Sequence, residues 1–216
     1  IFFFMFSFKN IAIITSTSDL ENFKSKKIKS FKGGKINIGS IGRLNWEKNF
    51  KQLIKIGKKL KKLDMFDFQI TIIGDGPDYI NLKHLIENEK LEKTIFLKGE
   101  LSRDDVIDFL SNLDIYIQTS ISEGSPLTIK EAMAVPLIVL ASDVGGVGNL
   151  IQNNINGFLV EKNNTDQFVE TLLNVLKLSD KEIFKIKESA RQFILLNFSP
   201  DMVAHKLFKY LKEKID

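Results

Sequence analysis

The sequence predicts an α/β fold in which a parallel sheet is covered by helices on both faces and followed by a helical C-terminal extension. Apolar segments of strand length alternate with segments of helical periodicity from residue 36 onward, a pattern typical of parallel sheets. After residue 165 only helical segments follow, and these form the predicted extension. Hydrophobic residues make up 44% of the 216 residues, which is enough apolar material for a globular core.

Each predicted strand is a short apolar run that ends at glycine, polar or turn residues. The second, for example, is closed by the turn sequence Gly74-Asp75-Gly76-Pro77. We expect right-handed crossovers between these strands. The predicted strands are Ile36–Ile41, Phe68–Ile73, Thr94–Leu97, Asp114–Gln118, Leu137–Leu140 and Phe158–Val160.

The helices are predicted from apolar periodicity and from capping residues. In the first helix, Phe50, Leu53 and Leu60 share a face opposite a row of lysines. Ser102 is a predicted N-cap, and Ser125-Pro126 places a second cap before a proline at the first helical position. The predicted helices are Asn49–Leu63, Tyr79–Glu89, one after Ser102, one from Pro126 to about Val135, a short one near Asn149, and about Thr165–Leu178, Lys181–Leu196 and Pro200–Lys214.

The first 35 residues are interpreted as the remnant of an N-terminal domain or linker, and residues 36–216 as one domain with C-terminal helices. The chain begins with an apolar run, Ile1–Phe8, rather than with methionine. This run is too short to span a bilayer, which needs about 20 residues. We therefore expect the chain to start inside a longer protein or in a damaged reading frame, with a cut transmembrane segment as a minor alternative.

The charge of the chain is unevenly distributed. The net charge is only +4, but residues 21–62 contain fourteen Lys or Arg and two Glu. Such a segment forms either an ordinary solvated surface or a surface that attracts phosphates or an anionic membrane. The pattern does not favour binding of nucleic acid. The chain has no cysteine and only two, widely separated histidines, so we expect no disulfide and no metal site. A cytoplasmic location, or one at the cytoplasmic face of a membrane, fits these features.

Three segments that follow predicted strands carry small, flexible or charged residues. Ligands of open parallel sheets bind outside the carboxyl ends of the strands, so we expect these segments to converge on one rim. The segments are Gly42–Lys48, Thr119–Pro126 and Ser142–Gly146. Arg43 and Lys48 bring two cations to a helix N-terminus, an arrangement that suits a diphosphate, although a surface position is the ordinary fate of both residue types.

Glu123 and Glu131 are the acids of interest in the second segment and its helix. The helical rise places Glu131 about 8 Å along the axis, so the two carboxylates fit separate parts of one elongated ligand. The alternatives are that Glu123 stabilises the first turn of the helix and that Glu131 is a surface acid paired with Lys130 or nearby cations. Glycoside hydrolysis also uses two carboxylates, but it leaves the neighbouring cations unexplained.

The Gly74-x-Gly76 turn alone is weak evidence for a dinucleotide site. Tyr79 stands where the third glycine of that fingerprint is required, so a nicotinamide dehydrogenase is poorly supported. A tight turn between strand and helix is the preferred interpretation. Tyr116, Trp46, His84 and His205 are interpreted as packing or surface residues.

Five ordered blocks resemble family 4 glycosyltransferases, which have the two-domain GT-B fold. The similarity runs from about residue 36 to the C-terminus and is most specific in an E-x7-E pattern with an EAMA ending. The blocks are Gly42–Phe50, Ile72–Pro77, Ser122–Ala134, Asp143–Gly146 and Asn156–Val160. The resemblance implies that this chain is the Rossmann-like, donor-binding half of such an enzyme, and that it uses no metal or cofactor beyond a UDP- or GDP-linked sugar as co-substrate.

The resemblance also implies roles by position. Arg43 and Lys48 would hold the donor diphosphate, Glu123 would contact sugar hydroxyls, and these three would be the catalytic residues of a transfer with retention at the anomeric carbon. Glu131 would hold the ribose, and Lys98, within Phe96–Gly99, would lie near the base. The remaining donor-binding residues would be Gly42, Gly124, Ser125, Pro126 and Leu127.

The sequence departs from the family pattern at three places. Asn149 stands where the family usually has Glu, and the linker block keeps only Asp19 and Phe23. Residues 1–35 are too few to form the family's acceptor-binding N-terminal domain, so we expect a longer protein or a partner chain to supply it. The alternatives to an enzyme are a non-catalytic nucleotide-sugar-binding module and a truncated remnant.

Overall fold

The computed structural model of the chain describes residue 31 and residues 34–215, and within them it contains a six-stranded parallel sheet with helices on both faces. The strands are β1 (Ile36–Ile41), β2 (Phe68–Ile73), β3 (Ile95–Leu97), β4 (Ile115–Gln118), β5 (Ile138–Ser142) and β6 (Phe158–Val160). The helices are α1 (Phe50–Leu63), α2 (Tyr79–Asn88), α3 (Arg103–Ser111), α4 (Leu127–Ala134), a 3₁₀ helix (Gly145–Asn149), α5 (Thr165–Leu176), α6 (Asp180–Phe198) and α7 (Pro200–Ile215).

The order of the strands in the sheet is β3-β2-β1-β4-β5-β6, so the direction of winding reverses between β1 and β4. β1 pairs with β2 along its whole length, from Ile36 opposite Phe68 to Ile41 opposite Ile73. On its other side β1 pairs with β4, where Ile38 lies opposite Ile115. In open α/β sheets such a reversal opens a crevice at the carboxyl ends of the two strands.

Two apolar cores cover the two faces of the sheet. Side chains of α1, α2 and α5 pack on one face, and those of α3 and α4 pack on the other. Helix α6 joins the cores, because Ile183 near its start packs in the first and Ile194 near its end packs in the second. The α/β fold class, the parallel sheet and the helices on both faces are therefore confirmed.

The predicted strands are confirmed within two residues at each end, and the predicted cap at Ser102 is confirmed by a hydrogen bond that its hydroxyl accepts from the amide of Asp105. The cap at Ser125 is wrong. Pro126 has a ψ of 113°, an extended conformation, so Pro126 is itself the N-cap and α4 begins at Leu127. Among the described residues the buried Ser125 hydroxyl has no hydrogen-bond partner. The interpretation of residues 1–35, with the Ile1–Phe8 run, Asp19 and Phe23, lies almost wholly outside the described residues and stays a prediction.

Candidate functional site

The three segments predicted to converge do meet at the carboxyl edge of the sheet. The segment after β4 is tied to the segment after β1, because the Ile121 amide donates to the Glu47 carbonyl at 2.7 Å. The Thr119 hydroxyl adds contacts to the carbonyls of Lys48 and Asn49 at 3.2 and 3.1 Å. These bonds join the two loops on either side of the crevice into one rim.

A pair of glycines brings the segment after β5 against the same loop. The Gly146 amide donates to the Glu123 carbonyl at 2.9 Å, and a Cβ atom at Gly146 would lie 1.7 Å from the Gly124 carbonyl oxygen. A Cβ at Gly145, which has a φ of +49°, would lie 2.1 Å from the Glu123 carbonyl oxygen. The backbones touch, so this loop fixes the position from which the Glu123 side chain extends.

The Gly74-x-Gly76 turn also packs closely against a neighbouring loop, here the segment that follows β1. Gly74 has a φ of +133°, and a Cβ there would lie 2.0 Å from the Gly42 carbonyl oxygen. A Cβ at Gly76 would lie 2.5 Å from the Leu44 carbonyl oxygen, and the Leu44 amide donates to Asp75. The glycines allow close backbone packing, and the interpretation of this motif as a structural turn is confirmed.

Lys48 and Glu123, predicted separately, contact each other. The Lys48 Nζ lies 2.6 Å from Glu123 Oε1, and the Glu123 side chain is only 8% exposed. The same carboxylate oxygen accepts hydrogen bonds from the Ser120 hydroxyl, at 2.6 Å, and from the Gln118 amide. A charged acceptor with three donors is strongly oriented, so Glu123 is held in one position at the rim.

A buried polar chain holds Gln118 in the orientation that Glu123 needs. Gln118 Oε1 accepts from the Thr128 hydroxyl at 3.1 Å and lies 3.2 Å from the Tyr116 hydroxyl, so its amide nitrogen faces Glu123. The Tyr116 hydroxyl also lies 3.3 Å from the Ile41 carbonyl oxygen. Tyr116 is fully buried, so of the two interpretations, packing or surface residue, the first holds, and this burial raises the pKa of its hydroxyl well above the usual value.

We expect Tyr116→Phe to flatten the alkaline decline in stability of the chain. The pKa of Tyr116 is higher in the folded chain than its value of about 10 in the unfolded chain. Its contribution to the free energy of unfolding is therefore fully present below about pH 10 and decreases above that pH by about 1.4 kcal/mol per pH unit. Urea unfolding between pH 8 and 11 measures this slope. Tyr79→Phe, at a partly buried tyrosine of α2, is the matched control. A wild-type slope equal to that of Tyr116→Phe would contradict the assignment.

Glu131 is buried in α4 and forms an ion pair with Arg103, the first residue of α3. The Glu131 side chain is 5% exposed, whereas that of Arg103 is 49% exposed. Of the alternative interpretation, a surface acid paired with Lys130 or nearby cations, the surface position is wrong because Glu131 is buried, whereas pairing with a nearby cation is confirmed by Arg103. Lys130 is itself buried, and its Nζ lies 5.0 Å from the centre of the Phe198 ring. Burial lowers the pKa of Lys130. Arg103 was not predicted as a site residue.

A cleft of about 630 Å³ opens at the carboxyl ends of β1 and β2. Arg43, which is exposed, lines it together with Gly42, and the segment after β3 closes it with Glu100 and Leu101. Lys98 instead lines a separate cavity of about 370 Å³ between α2 and β3. Pro126 is buried beside the rim, and Leu127 is 39% exposed at the start of α4. Within residue 31 and residues 34–215 no group of three or more acidic or histidine side chains is arranged to hold a metal ion.

The strand order and the crevice that its reversal opens beside the segment with Arg43 and Lys48 define a Rossmann-like domain. The family of this domain follows from its sequence. Residues 21–193 match the model of the glycosyl transferases group 1, and the chain belongs to this family. The resemblance found from the motifs is confirmed at this level.

Two proteins that match this chain are longer than the chain itself. The chain is 29% identical over 199 residues to the UDP-Gal:alpha-D-GlcNAc-diphosphoundecaprenol alpha-1,3-galactosyltransferase of Escherichia coli, a match that covers 88% of this chain and 50% of that protein. A glycosyltransferase structure from Rickettsia africae is 26% identical with a TM-score of 0.78, and the match covers 95% of this chain and 57% of that one.

A third match shows the same fold as a single domain. It is the C-terminal domain of a glycosyl transferase group 1 protein from Francisella tularensis, 24% identical with a TM-score of 0.68, and it covers 76% of this chain and 87% of that one. The chain spans about half the length of the curated relatives it matches first. The predicted fold, one half of a GT-B architecture, is confirmed.

Proposed function

We propose that this chain is the donor-binding half of a family 4, retaining glycosyltransferase that transfers a sugar from a nucleotide sugar to an acceptor hydroxyl. The observation that carries the proposal is the Lys48–Glu123 ion pair, which lies on the rim of the crevice where the sheet order reverses. The family match favours this function over a non-catalytic binding module or a truncated remnant.

Binding of the donor would give both residues of this ion pair new partners. A diphosphate bound over the crevice would attract the Lys48 ammonium and the exposed Arg43, and Lys48 would then move away from Glu123. Glu123 would keep its bonds to Gln118 and Ser120 and would present its carboxylate to hydroxyls of the donor sugar. The unbound ion pair thus keeps a nearly buried carboxylate compensated until the ligand supplies new partners.

The transfer step needs stabilisation of the leaving group. As the bond between the anomeric carbon and the diphosphate oxygen breaks, the electron pair leaves with the diphosphate. The acceptor oxygen forms a bond on the same face of the sugar and passes its proton to the departing diphosphate oxygen. Arg43, Lys48 and the backbone amides of Ser125 and Leu127 would stabilise the developing charge. The backbone of the loops that carry these donors is held in place before the reaction by contacts between the loops, and the Lys48 side chain changes partner when the donor binds.

Glu131 and the cleft would hold the nucleoside. The ion pair with Arg103 orients the Glu131 carboxylate, which would accept hydrogen bonds from the ribose hydroxyls. The base would lie in the cleft near Glu100 and Leu101. A UDP- or GDP-linked sugar is the proposed co-substrate, and the name of the Escherichia coli relative, a UDP-Gal-dependent enzyme, supports the first of the two.

The acceptor would be bound by a further domain or by a partner chain. That relative acts on a sugar linked to diphosphoundecaprenol, a lipid carrier, so we propose an acceptor at a membrane surface and a location at its cytoplasmic face. No helix among the described residues is long and apolar enough to span a membrane.

Calorimetric titration with UDP, GDP and ADP tests the donor site. We expect one nucleotide to bind, and Glu131→Ala to weaken it by about 10–150-fold, because a hydrogen bond to a charged group is worth about 1.5–3 kcal/mol. Glu170→Ala, at an exposed acid of α5, is the control and should bind like the wild type. A folded chain that binds none of the three nucleotides would refute a self-sufficient donor site.

A further inference from the structure

The outward face of α1 is composed almost entirely of lysine. Every exposed position from residue 51 to residue 62 is a lysine, and the helix contains no acidic residue. We name these side chains the lysine face: Lys51, Lys55, Lys58, Lys59, Lys61 and Lys62. The inward face of the same helix is apolar and packs on the sheet.

Folding alone does not require this composition. Lysines stand at spacings of three and four along the helix, such as Lys55 and Lys58 or Lys58 and Lys62, where like charges destabilise a helix by a few tenths of a kcal/mol per pair. Alternating acids and lysines would solubilise the helix equally well and would stabilise it. The helix dipole favours only the lysines of the last turn, Lys61 and Lys62.

Neighbouring helices neutralise only part of the face. Lys58 forms an ion pair with Glu89 at 2.5 Å, Lys59 pairs with Asp166, and Lys61 donates to the Lys90 carbonyl. Among the described residues, the ammonium groups of Lys51, Lys55 and Lys62 make no such bond, and all three residues are exposed. The face therefore keeps a net positive charge over the 14 residues of α1.

Two apolar side chains lie at the end of this face. Leu63 is 45% exposed and Met65 is 63% exposed, with the acids Asp64 and Asp67 beside them. A basic face next to exposed aliphatic side chains matches an anionic lipid surface, where lysines contact headgroups and the apolar groups enter the boundary with the acyl chains. Nucleic acid is the poorer fit, because the face has no arginine or aromatic residue.

We infer that the lysine face, with Leu63 and Met65, is a docking surface for anionic phospholipid headgroups. The inference rests on the proposed function, since a lipid-linked acceptor would have to be reached from the membrane surface. Helix α1 starts directly after the segment that carries Arg43 and Lys48, so the donor site lies within one helix length, about 20 Å, of this surface.

Co-sedimentation of the full chain with lipid vesicles tests the inference. We expect binding to phosphatidylcholine vesicles that contain 30% phosphatidylglycerol, little binding to pure phosphatidylcholine, and a steep loss when NaCl rises from 0.1 to 1 M, because screening shortens the reach of the charges. Each lysine near an anionic surface contributes about fivefold to the partition. Lys51→Gln, Lys55→Gln and Lys62→Gln combined should therefore reduce binding about a hundredfold. The double variant Leu63→Ser and Met65→Ser removes the apolar contacts, which salt does not screen. It should therefore also reduce the vesicle binding that remains at high salt.

The matched control removes the same charge elsewhere. Lys181→Gln, Lys185→Gln and Lys212→Gln combined alter exposed lysines of α6 and α7 and should change vesicle binding less than threefold. Equal losses in both triple variants, a wild type that ignores anionic vesicles, or tighter binding to single-stranded RNA at the same salt would overturn the inference. Nucleotide titration of the same samples separates the two proposals, because the lysine face and the donor crevice share no residue.

Discussion

A chain that carries both Arg43→Ala and Lys48→Ala should bind its nucleoside diphosphate about 10²–10⁴-fold more weakly than the wild type. Each cation would make a charge-assisted contact with the diphosphate worth about 1.5–3 kcal/mol, and the two losses together give this range. Arg43 is exposed, so its removal should cost little folding stability. Loss of Lys48 leaves the nearly buried Glu123 with Gln118 and Ser120 as donors, which limits the destabilisation.

The sharpest readout is the preference for UDP over uridine, or for GDP over guanosine. If the cations contact only the diphosphate, the double variant loses this preference while its affinity for the nucleoside stays unchanged. Lys51→Ala with Lys55→Ala removes the same charge from the outer face of α1 and should leave the preference intact. Equal weakening for nucleotide and nucleoside would contradict the diphosphate role of Arg43 and Lys48.

The second large effect is expected for Gly146→Ala, which should lower the free energy of unfolding by about 2–4 kcal/mol. The new Cβ would lie 1.7 Å from the Gly124 carbonyl oxygen, and this neighbour is backbone that cannot rotate away. The loop carrying Glu123 must then shift, so donor affinity should fall together with stability. Urea unfolding and calorimetric titration of the same variant measure both effects.

Gly124→Ala provides the control on the other side of this contact. A Cβ at Gly124 would have no atom within 4 Å, so we expect its stability to stay within about 0.5 kcal/mol of the wild type. A Gly146→Ala chain as stable as Gly124→Ala would show that the two loops are not packed as tightly as the structure has them.

Most of the fold could be predicted because its signals are local. Apolar runs, the alternation of helices and strands, and the cap at Ser102 all lie within short segments of sequence. The helix start at Pro126 was misplaced by one residue, because serine before proline favours a cap whereas the backbone at Pro126 is extended. The order of the strands was not predicted, since it depends on pairings between distant segments.

The candidate site was predicted less completely for the same physical reason. Its loops could be found because they follow strands, but the contact between Lys48 and Glu123 joins residues 75 positions apart. Arg103 reaches Glu131 from another helix, 28 positions away, and no pattern in the sequence marks it. Gln118 is the last residue of a predicted strand, directly before the polar segment Thr119–Pro126, and nothing in the sequence distinguishes it from an ordinary strand end.

Mapping of UDP and GDP onto the folded chain by amide chemical shifts tests whether the donor binds at the carboxyl edge of the sheet. We expect one nucleotide to perturb the amides of Gly42–Lys48, of Gly124, Ser125 and Leu127, and of Glu131, and to leave those of the lysine face on α1 unchanged. Shifts confined to the cavity near Lys98, or to the outer face of α1, would contradict a donor site at the carboxyl edge of the sheet.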